Sequence, residues 1–277
     1  MSDFNNKVVV ITGASSGIGY ALAIAALQQG AKVAVCARSL HKLQEVYAAA
    51  SSDNLLLYAA DVSKEADCAG FIQAVTTRWG GVDVLINNAG ISMRALFDEV
   101  DLSVLKELMD INFWGTVYCT KYALPYIHQR KGVIVGVSSI AGYRGLPART
   151  GYSASKFAMQ GFLESLRTEL LLTGTHVMWV CPGFTASNIR NVARSADGSQ
   201  QGETPLEESK LMQADAVANV ILQAISARKR TVVMTGQGKL TVWLNKLFAA
   251  FTDKQVYKHF LHEPNSPLKK YEQKGNV

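Results

Sequence analysis

Short apolar, β-branched runs alternate along this chain with longer stretches whose apolar positions recur at three- and four-residue steps. The runs are Val8–Thr12, Lys32–Ala37, Leu55–Ala59, Val82–Asn87, Val133–Ser138, Val177–Cys181 and Thr231–Met234. Runs that stay apolar at nearly every position read as parallel strands covered on both faces. Between them, Tyr20–Gln29, Leu40–Ala50 and Phe71–Arg78 carry helical spacing. Seven strands with helical crossovers predict an α/β fold: a doubly wound parallel sheet with helices on both faces. Two segments break the rhythm. Residues 194–212 are polar and rich in Ser, Gly, Gln and Glu, which predicts a mobile excursion beside the site. Everything after Thr235 is an extension on a complete sheet. One domain is therefore expected over 1–235 and a helical extension over 236–277.

The extension has its own pattern. Leu240, Trp243, Leu244, Leu247, Phe248 and Phe251 fall on one helical face, with Lys239, Asn245 and Lys246 away from its centre. Thr252-Asp253 predicts a break and recap before a second short helix carrying Val256, Tyr257, Phe260 and Leu261. Pro264 and Pro267 are expected to end regular structure, with disordered residues beyond. Charge changes the picture here. From Arg228 onward there are ten Lys/Arg against three Asp/Glu, in a chain whose total charge is +6, so the tail is basic and the rest near neutral. The plain expectation is that the apolar face packs on its own domain or on a partner subunit. The sharper one is a peripheral contact with an anionic membrane surface. No window is apolar enough to span a bilayer. Met1–Lys7 lacks the basic start and apolar run of a signal peptide, so a cytoplasmic protein is expected. The four cysteines, Cys36, Cys68, Cys119 and Cys181, form no CxxC pair, so buried free thiols are expected rather than a metal or disulfide framework.

Candidate chemistry begins where the first strand runs into Thr12-Gly13-Ala14-Ser15-Ser16-Gly17-Ile18-Gly19 and then a helix. Glycines at such a turn let the backbone approach a pyrophosphate, and the helix N-terminus offers free N–H groups. The second strand ends in Cys36-Ala37-Arg38-Ser39. An NAD site usually places an acid near this point for the ribose 2′-hydroxyl. Here there is none, while Arg38 can pair a 2′-phosphate and Ser39 can add a hydroxyl donor. The expected cofactor is NADP(H). Tyr152-Ser153-Ala154-Ser155-Lys156 puts Tyr152 and Lys156 four residues apart on one helix face, 13 residues after Ser139. An ammonium beside a phenol is expected to lower the phenol's pKa and tune it for proton transfer to a carbonyl oxygen. Asn112 is expected to open a long helix near the same strand ends.

In these motifs the chain resembles a classical short-chain dehydrogenase/reductase from about Lys7 to Met234, with a Rossmann-type sheet. The motifs are TGASSGIG at Thr12–Gly19, Asp61-Val62, NNAG at Asn87–Gly90, Asn112, the Ser139/Tyr152/Lys156 set and Pro182-Gly183. The resemblance implies that Gly13, Ser15, Ser16, Gly17, Ile18 and Gly19 cradle the dinucleotide, that Asp61 and Val62 flank the adenine, and that Asn88, Ala89 and Gly90 line the cofactor. It implies that Asn112 holds a water in a proton relay, Ser139 positions the substrate oxygen, Tyr152 is the acid/base, and Lys156 also binds the nicotinamide ribose. After Pro182-Gly183 the family carries a carboxamide-binding Thr, for which Ser187 and Thr185 are both candidates here. Local features such as Ala37-Arg38-Ser39 and Tyr152–Ala158 are similar to reductases related to the 11β-hydroxysteroid dehydrogenases.

An epimerase using a bound nucleotide as a hydride store is disfavoured, because those relatives space their glycines three apart and here the steps are four and two. A non-catalytic NADP(H)-binding sensor or scaffold is the remaining alternative, and it would be expected to have lost a catalytic residue. Candidate substrate walls are Met93, Ile140, Tyr143, Leu146, Pro147 and Phe184, which favour a small hydrophobic carbonyl or alcohol. Arg144, Arg149, Arg190 and Arg194 are candidates for an acidic group. The helix after Asn112, with Phe113, Val117, Tyr118 and Tyr122, and the helix at Tyr152, with Met159, Phe162, Leu163, Leu166 and Leu170, carry apolar groups beyond one face. The family pairs such helices, so a homodimer or homotetramer is expected, and no nucleic-acid partner.

Overall fold

The strands owe their lengths to burial on both faces. In β1 (Val8–Thr12) every residue is buried, and alternate residues serve two helical layers. Val9 and Ile11 join the core beneath α1 (Gly17–Gln28) and α7 (Ala214–Ser226). Val8 and Val10 join the core beneath α3 (Glu65–Trp79), α5 (Gly115–Gln129) and α6 (Thr150–Glu169). The computed structural model describes residues 4–50, 52–185, 189–202 and 211–272. Its seven parallel strands add β2 (Lys32–Ala37), β3 (Leu55–Ala59), β4 (Val84–Asn87), β5 (Val133–Val137), β6 (His176–Cys181) and β7 (Thr231–Val233), in the order β3-β2-β1-β4-β5-β6-β7. The order reverses between β1 and β4, where open α/β sheets leave a crevice at their carboxyl edge. The loops after β1, β4, β5 and β6 meet there.

Four boundaries differ from the sequence pattern. Val82 and Asp83 precede β4 rather than opening it. Asp83 still bonds both neighbouring strands through its backbone, donating to Val8 O at 2.9 Å and accepting from the Val133 N–H at 2.8 Å, while its carboxylate also accepts from the Val8 N–H at 2.8 Å and from Arg130 Nη1 at 2.7 Å. Asn112 does not open a helix. It sits in a π-helical turn, Asp110–Trp114, inside one unbroken rod from α4 (Leu102–Met109) into α5. In the tail the break falls at Phe248, between α8 (Gly236–Leu247) and α9 (Ala249–Leu261), and not at Thr252-Asp253. Thr252 is buried and its hydroxyl donates to Phe248 O at 3.0 Å, so it continues the helix instead of capping a new one. Pro267 does not end regular structure either, since α10 (Lys269–Glu272) follows. Residues 273–277 and most of the 194–212 excursion's second half, 203–210, lie outside the described residues.

The tail divides in its packing. Val256, Phe260, Leu261 and Leu268 close on Leu96, Leu146 and Ala148 of the main domain. Leu240, Trp243, Leu247 and Phe251 are instead 52–59% exposed, together with Phe248. No helix among the described residues is long and apolar enough to cross a membrane. All four cysteines are free and buried, and burial pushes the Cys36 and Cys181 thiols well up, Cys181 to about 12. Cys119 is pushed up as well, by its hydrogen bond with Cys68 and by burial.

Candidate active site

The turn after β1 is built for close backbone approach. Gly13 has φ +65°, and a Cβ there would lie 2.6 Å from Ala89 Cα. Only glycine lets the first turn and the Asn87–Gly90 turn meet. Asn88 locks them together: its Nδ2 donates to Thr12 O and Gly13 O at 2.9 and 3.0 Å, while Thr12 Oγ1 accepts from the N–H groups of Asn88 and Ala89 at 3.0 Å each. Ser16 stands at the N-cap of α1 but makes no side-chain cap bond, leaving that helix end open to an anion. Gly19 lies behind the turn, where a Cβ would strike Asn88 Nδ2 and Gly13 O.

From this turn a cavity of about 400 Å³ runs along the sheet edge. Gly13, Ser15, Ser16, Gly17 and Ile18 line its phosphate end, and Asn88, Ala89 and Gly90 its middle. Arg38 and Lys42 flank the far end, with Asp61 and Val62. Asp61 is held by the Ser63 N–H and hydroxyl at 3.1 and 2.7 Å. Lys42 was not among the residues singled out from sequence; its only signal was a second cation in the first turn of α2 (Leu40–Val46). Ser39 does not line the cavity. It caps α2, accepting from the Lys42 N–H at 3.2 Å. Ser139, Tyr152, Lys156, Pro182, Gly183 and Thr185 line the opposite end. Thr185 is buried and donates to Gly183 O at 3.0 Å, whereas Ser187 lies outside the described residues.

Helix α6 sets the reacting groups. Tyr152 and Lys156, one turn apart, face the end of β5. Lys156 Nζ donates to Val137 O at 2.9 Å and lies 5.7 Å from the Tyr152 ring centre. The Ser139 side chain is hydrogen-bonded to the half-buried phenol and accepts from the Ala141 N–H at 3.2 Å. The phenol's pKa is not lowered as the pair's spacing suggested. Burial pushes it above the ordinary tyrosine value, and the Ser139 bond and the Arg149 charge pull it only partly back. Burial in turn pulls Lys156 down to about 8. One turn further, Gln160 donates to Ser138 Oγ at 2.7 Å and to Ser139 O at 3.4 Å, steadying the Ser139 strand end. Asn112 is fully buried and does not line the cavity. Its Nδ2 donates to Ile91 O and Ser155 Oγ, and its Oδ1 accepts from the Ile91 N–H at 2.8 Å, so its side chain joins the Gly90-Ile91 turn to α6. A π turn allows this by widening the rod where the side chain enters.

Of the candidate walls, Leu146 and Phe184 line the cavity. Met93 is buried in a core of its own, Ile140 packs on the sheet, and the Tyr143 hydroxyl accepts from Trp179 Nε1 at 2.8 Å. Ile91, Ile111, Ile189 and Val192 complete the apolar wall. Arg149, Arg190 and Arg194 line it too, but Arg194 is paired bidentately with Glu107 at 2.8 and 2.6 Å and Arg149 with Glu263. Arg144 instead binds the tail, through Asn245 and Asp253.

The buried lysine carries a stability cost with a defined pH window. An unfolded lysine titrates near 10.5, so between about pH 8 and 10.5 the unfolded chain holds a proton that the folded chain has lost, and stability rises with pH. Lys156→Met is expected to be the more stable protein at pH 7 and to lose about 2 kcal/mol of that advantage by about pH 10, read from urea midpoints. An advantage equal at both pH values would contradict this.

The family model for short chain dehydrogenases matches residues 7–198. The chain belongs to the short-chain dehydrogenase/reductase family. As a member it is an oxidoreductase of alcohol or carbonyl groups with a nicotinamide-nucleotide fold. It is 34% identical over 277 residues to an 11-beta-hydroxysteroid dehydrogenase A of Sesamum indicum, covering 96% of this chain and 79% of that one. It is 36% identical over 260 residues to dehydrogenase/reductase SDR family member 7B of Danio rerio, covering 90% and 84%. Among solved structures, an alcohol dehydrogenase of the archaeon Thermococcus sibiricus complexed with 5-hydroxy-NADP superposes with TM-score 0.72 at 25% identity, over 83% of this chain and 95% of that one. A short-chain dehydrogenase/reductase from Burkholderia phymatum in complex with NAD shares the fold, at TM-score 0.79 and 24% identity over 91% and 96%.

Proposed function

We propose that this oxidoreductase uses NADP(H) to interconvert a hydrophobic carbonyl compound and its alcohol, with Tyr152 as the general acid/base. The observation that carries the reading is the convergence of Tyr152, Ser139 and Lys156 on one end of a cavity whose other end carries Arg38 and Lys42. The residues fit the dinucleotide: a glycine cradle that a Cβ would fill, an uncapped helix N-terminus, and two cations at the far end, with Arg38 in place of an acid after β2. When bound, the nicotinamide supplies or accepts the hydride. Ser139 donates to the substrate oxygen and orients it. Tyr152, kept protonated at neutral pH by its burial, donates its proton to that oxygen as it gains charge. Lys156 keeps its ammonium near the phenol and offers its remaining hydrogen-bond donors to the ribose. Ile91, Leu146, Ile189 and Val192 exclude water and favour an apolar substrate. The neutralised Arg149 and Arg194 argue against an anionic one. NADPH consumption with a panel of aromatic and alicyclic carbonyl compounds tests the reading. No turnover across the panel, with NADPH still bound, would favour the sensor or scaffold alternative.

The reading includes two surfaces. The exposed ridge of Leu240, Trp243, Leu247, Phe248 and Phe251 is flanked by exposed Lys239, Lys246, Lys254 and Lys258, a combination suited to the interface of an anionic bilayer. Half-exposed Phe113, Tyr118 and Phe162, with exposed Trp114 and Phe157, suit a subunit contact. Sedimentation with phosphatidylserine vesicles at low salt is expected to pellet the full chain but not a Trp243→Ala/Phe251→Ala variant. Without vesicles the same run is expected to give a dimer or tetramer. A free supernatant at low salt sinks the first expectation, and a monomer at micromolar concentration the second.

A further inference from the structure

The inner side of the tail is organised around a buried carboxylate. Glu263 accepts from Arg149 Nη2 at 3.2 and 3.1 Å on its two oxygens and lies 3.5 Å from Arg94 Nη2, which also donates to Pro264 O. Both arginines are largely buried in this cluster. They come from different loops. Arg94 follows β4 and the Asn87–Gly90 turn. Arg149 stands at the N-cap of α6, three residues before Tyr152. The Arg149 guanidinium lies 4.6 Å over the Phe260 ring, so α9 grips it from a second side. The two loops are tied directly as well, by the Ala95 N–H donating to Ala148 O at 3.0 Å.

Ala148 adds an independent observation. It has φ +58°, in the left-handed region, although it is not glycine. Such a residue keeps that conformation only where its surroundings over-determine it. Here the tail supplies part of those surroundings: Ala148 is buried in a small core with Phe260 and Leu268 of the tail and Leu96 of the main domain. The strained residue therefore sits immediately before the arginine that Glu263 holds, and both precede the proton donor on the same segment. Further contacts repeat the pattern. Asn245 Nδ2 donates to Tyr143 O at 3.1 Å, and Lys270 pairs with Asp98 and Glu99 at 2.9 and 2.6 Å. Among the described residues, the polar anchors that tie the tail to the main domain land on residues 94–99 or 143–149.

A buried ion cluster is a weak way to gain stability, because desolvation offsets most of the attraction, but its fixed geometry can specify one arrangement. We propose that Glu263 is a positioning residue for the active site, its carboxylate shared by Arg94 and Arg149 so that the tail sets the segment from which Tyr152 departs. The proposal rests on the reading of Tyr152 as the proton donor. Loss of the carboxylate frees the first turn of α6 and shifts the phenol relative to Ser139. The glycine turn and the Arg38 end stay in place, because neither touches the cluster. The effect therefore falls on turnover and spares NADPH affinity.

Glu263→Gln in the full chain tests this. It keeps the shape of the side chain and removes its charge. With NADPH and an aromatic α-diketone as probe, kcat is expected to fall by about 10- to 100-fold, since a misplacement of about 1 Å in the reacting groups can cost about 10²-fold. The KM for NADPH should stay within about twofold of the parent, given that the cofactor contacts are distant. Amide hydrogen exchange over 143–153 should accelerate while β1 and β4 are unchanged. Adding Ala148→Gly to Glu263→Gln should restore part of kcat, because glycine holds the left-handed conformation without outside help. A change in general stability alone would accelerate exchange across the sheet and would not be rescued by glycine, and that result overturns the proposal. So does unchanged kcat with unchanged exchange over 143–153. If Glu263→Gln does not fold, Glu263→Asp keeps the charge, shortens its reach and is read by the same criteria. The exchange measurement needs no substrate. A parent protein inactive on every carbonyl would defeat the proposed function, whereas exchange over 143–153 that ignores Glu263 would defeat the positioning role alone.

Discussion

Tyr152→Phe is expected to cut turnover by about 10²- to 10⁴-fold, the range that general acid–base catalysis contributes, while NADPH still binds. Phenylalanine keeps the ring that packs beside Lys156 and removes only the proton donor. The hydroxyl is hydrogen-bonded to the Ser139 side chain at this end of the cavity, so it stands where the oxygen that Ser139 orients would receive the proton. Burial pushes the phenol up, so it is protonated at neutral pH and ready to donate to a carbonyl oxygen. In the reverse direction the phenolate must accept the alcohol proton, and the same burial places that form at higher pH. Turnover of Tyr152→Phe within a few-fold of the parent, with NADPH bound equally well by fluorescence, would remove Tyr152 from the mechanism.

Arg38→Ala is expected to weaken NADPH binding by roughly 10- to 150-fold, the equivalent of about 1.5–3 kcal/mol for a charge-assisted hydrogen bond, and to leave NADH binding nearly unchanged. Only the first nucleotide carries a 2′-phosphate. Arg38 is exposed at the end of β2, so the structure keeps its shape without it. Lys42, one helical turn on, holds part of the attraction and sets the lower end of that range. Equal losses for both nucleotides, measured by titration calorimetry, would show that Arg38 does not discriminate between them.

The sheet was legible because strands covered on both faces must be apolar at almost every position, and β1, β2 and β5 read that way without interruption. Their ends were less so. Asp83 keeps its backbone bonds to Val8 and Val133 and adds carboxylate bonds to residues 75 and 47 positions away, which no local pattern carries. The reacting groups were legible because a four-residue step fixes Tyr152 and Lys156 on one helix face. The direction of the Tyr152 shift was not, since it depends on how much water the surrounding loops exclude. Composition could not separate a cavity wall from a core. Met93 and Ile140 are as apolar as Leu146, yet they are consumed by packing, and Tyr143 is held by its bond to Trp179. The tail's amphipathic pattern was visible, but its hinge at Phe248 has neither glycine nor proline to mark it. Glu263 lies 114 residues from Arg149, and its role emerges only once the chain has folded back.

The buried thiols bear on how this protein can be studied. Thiol-selective reagents attack the exposed thiolate, and all four native sulfur atoms are enclosed, with Cys36, Cys119 and Cys181 held protonated as well. The folded chain therefore presents no background target to a maleimide. A single cysteine introduced at exposed Leu247 would be a unique attachment point, and a polarity-sensitive dye placed there would report directly what the outer face of the tail meets.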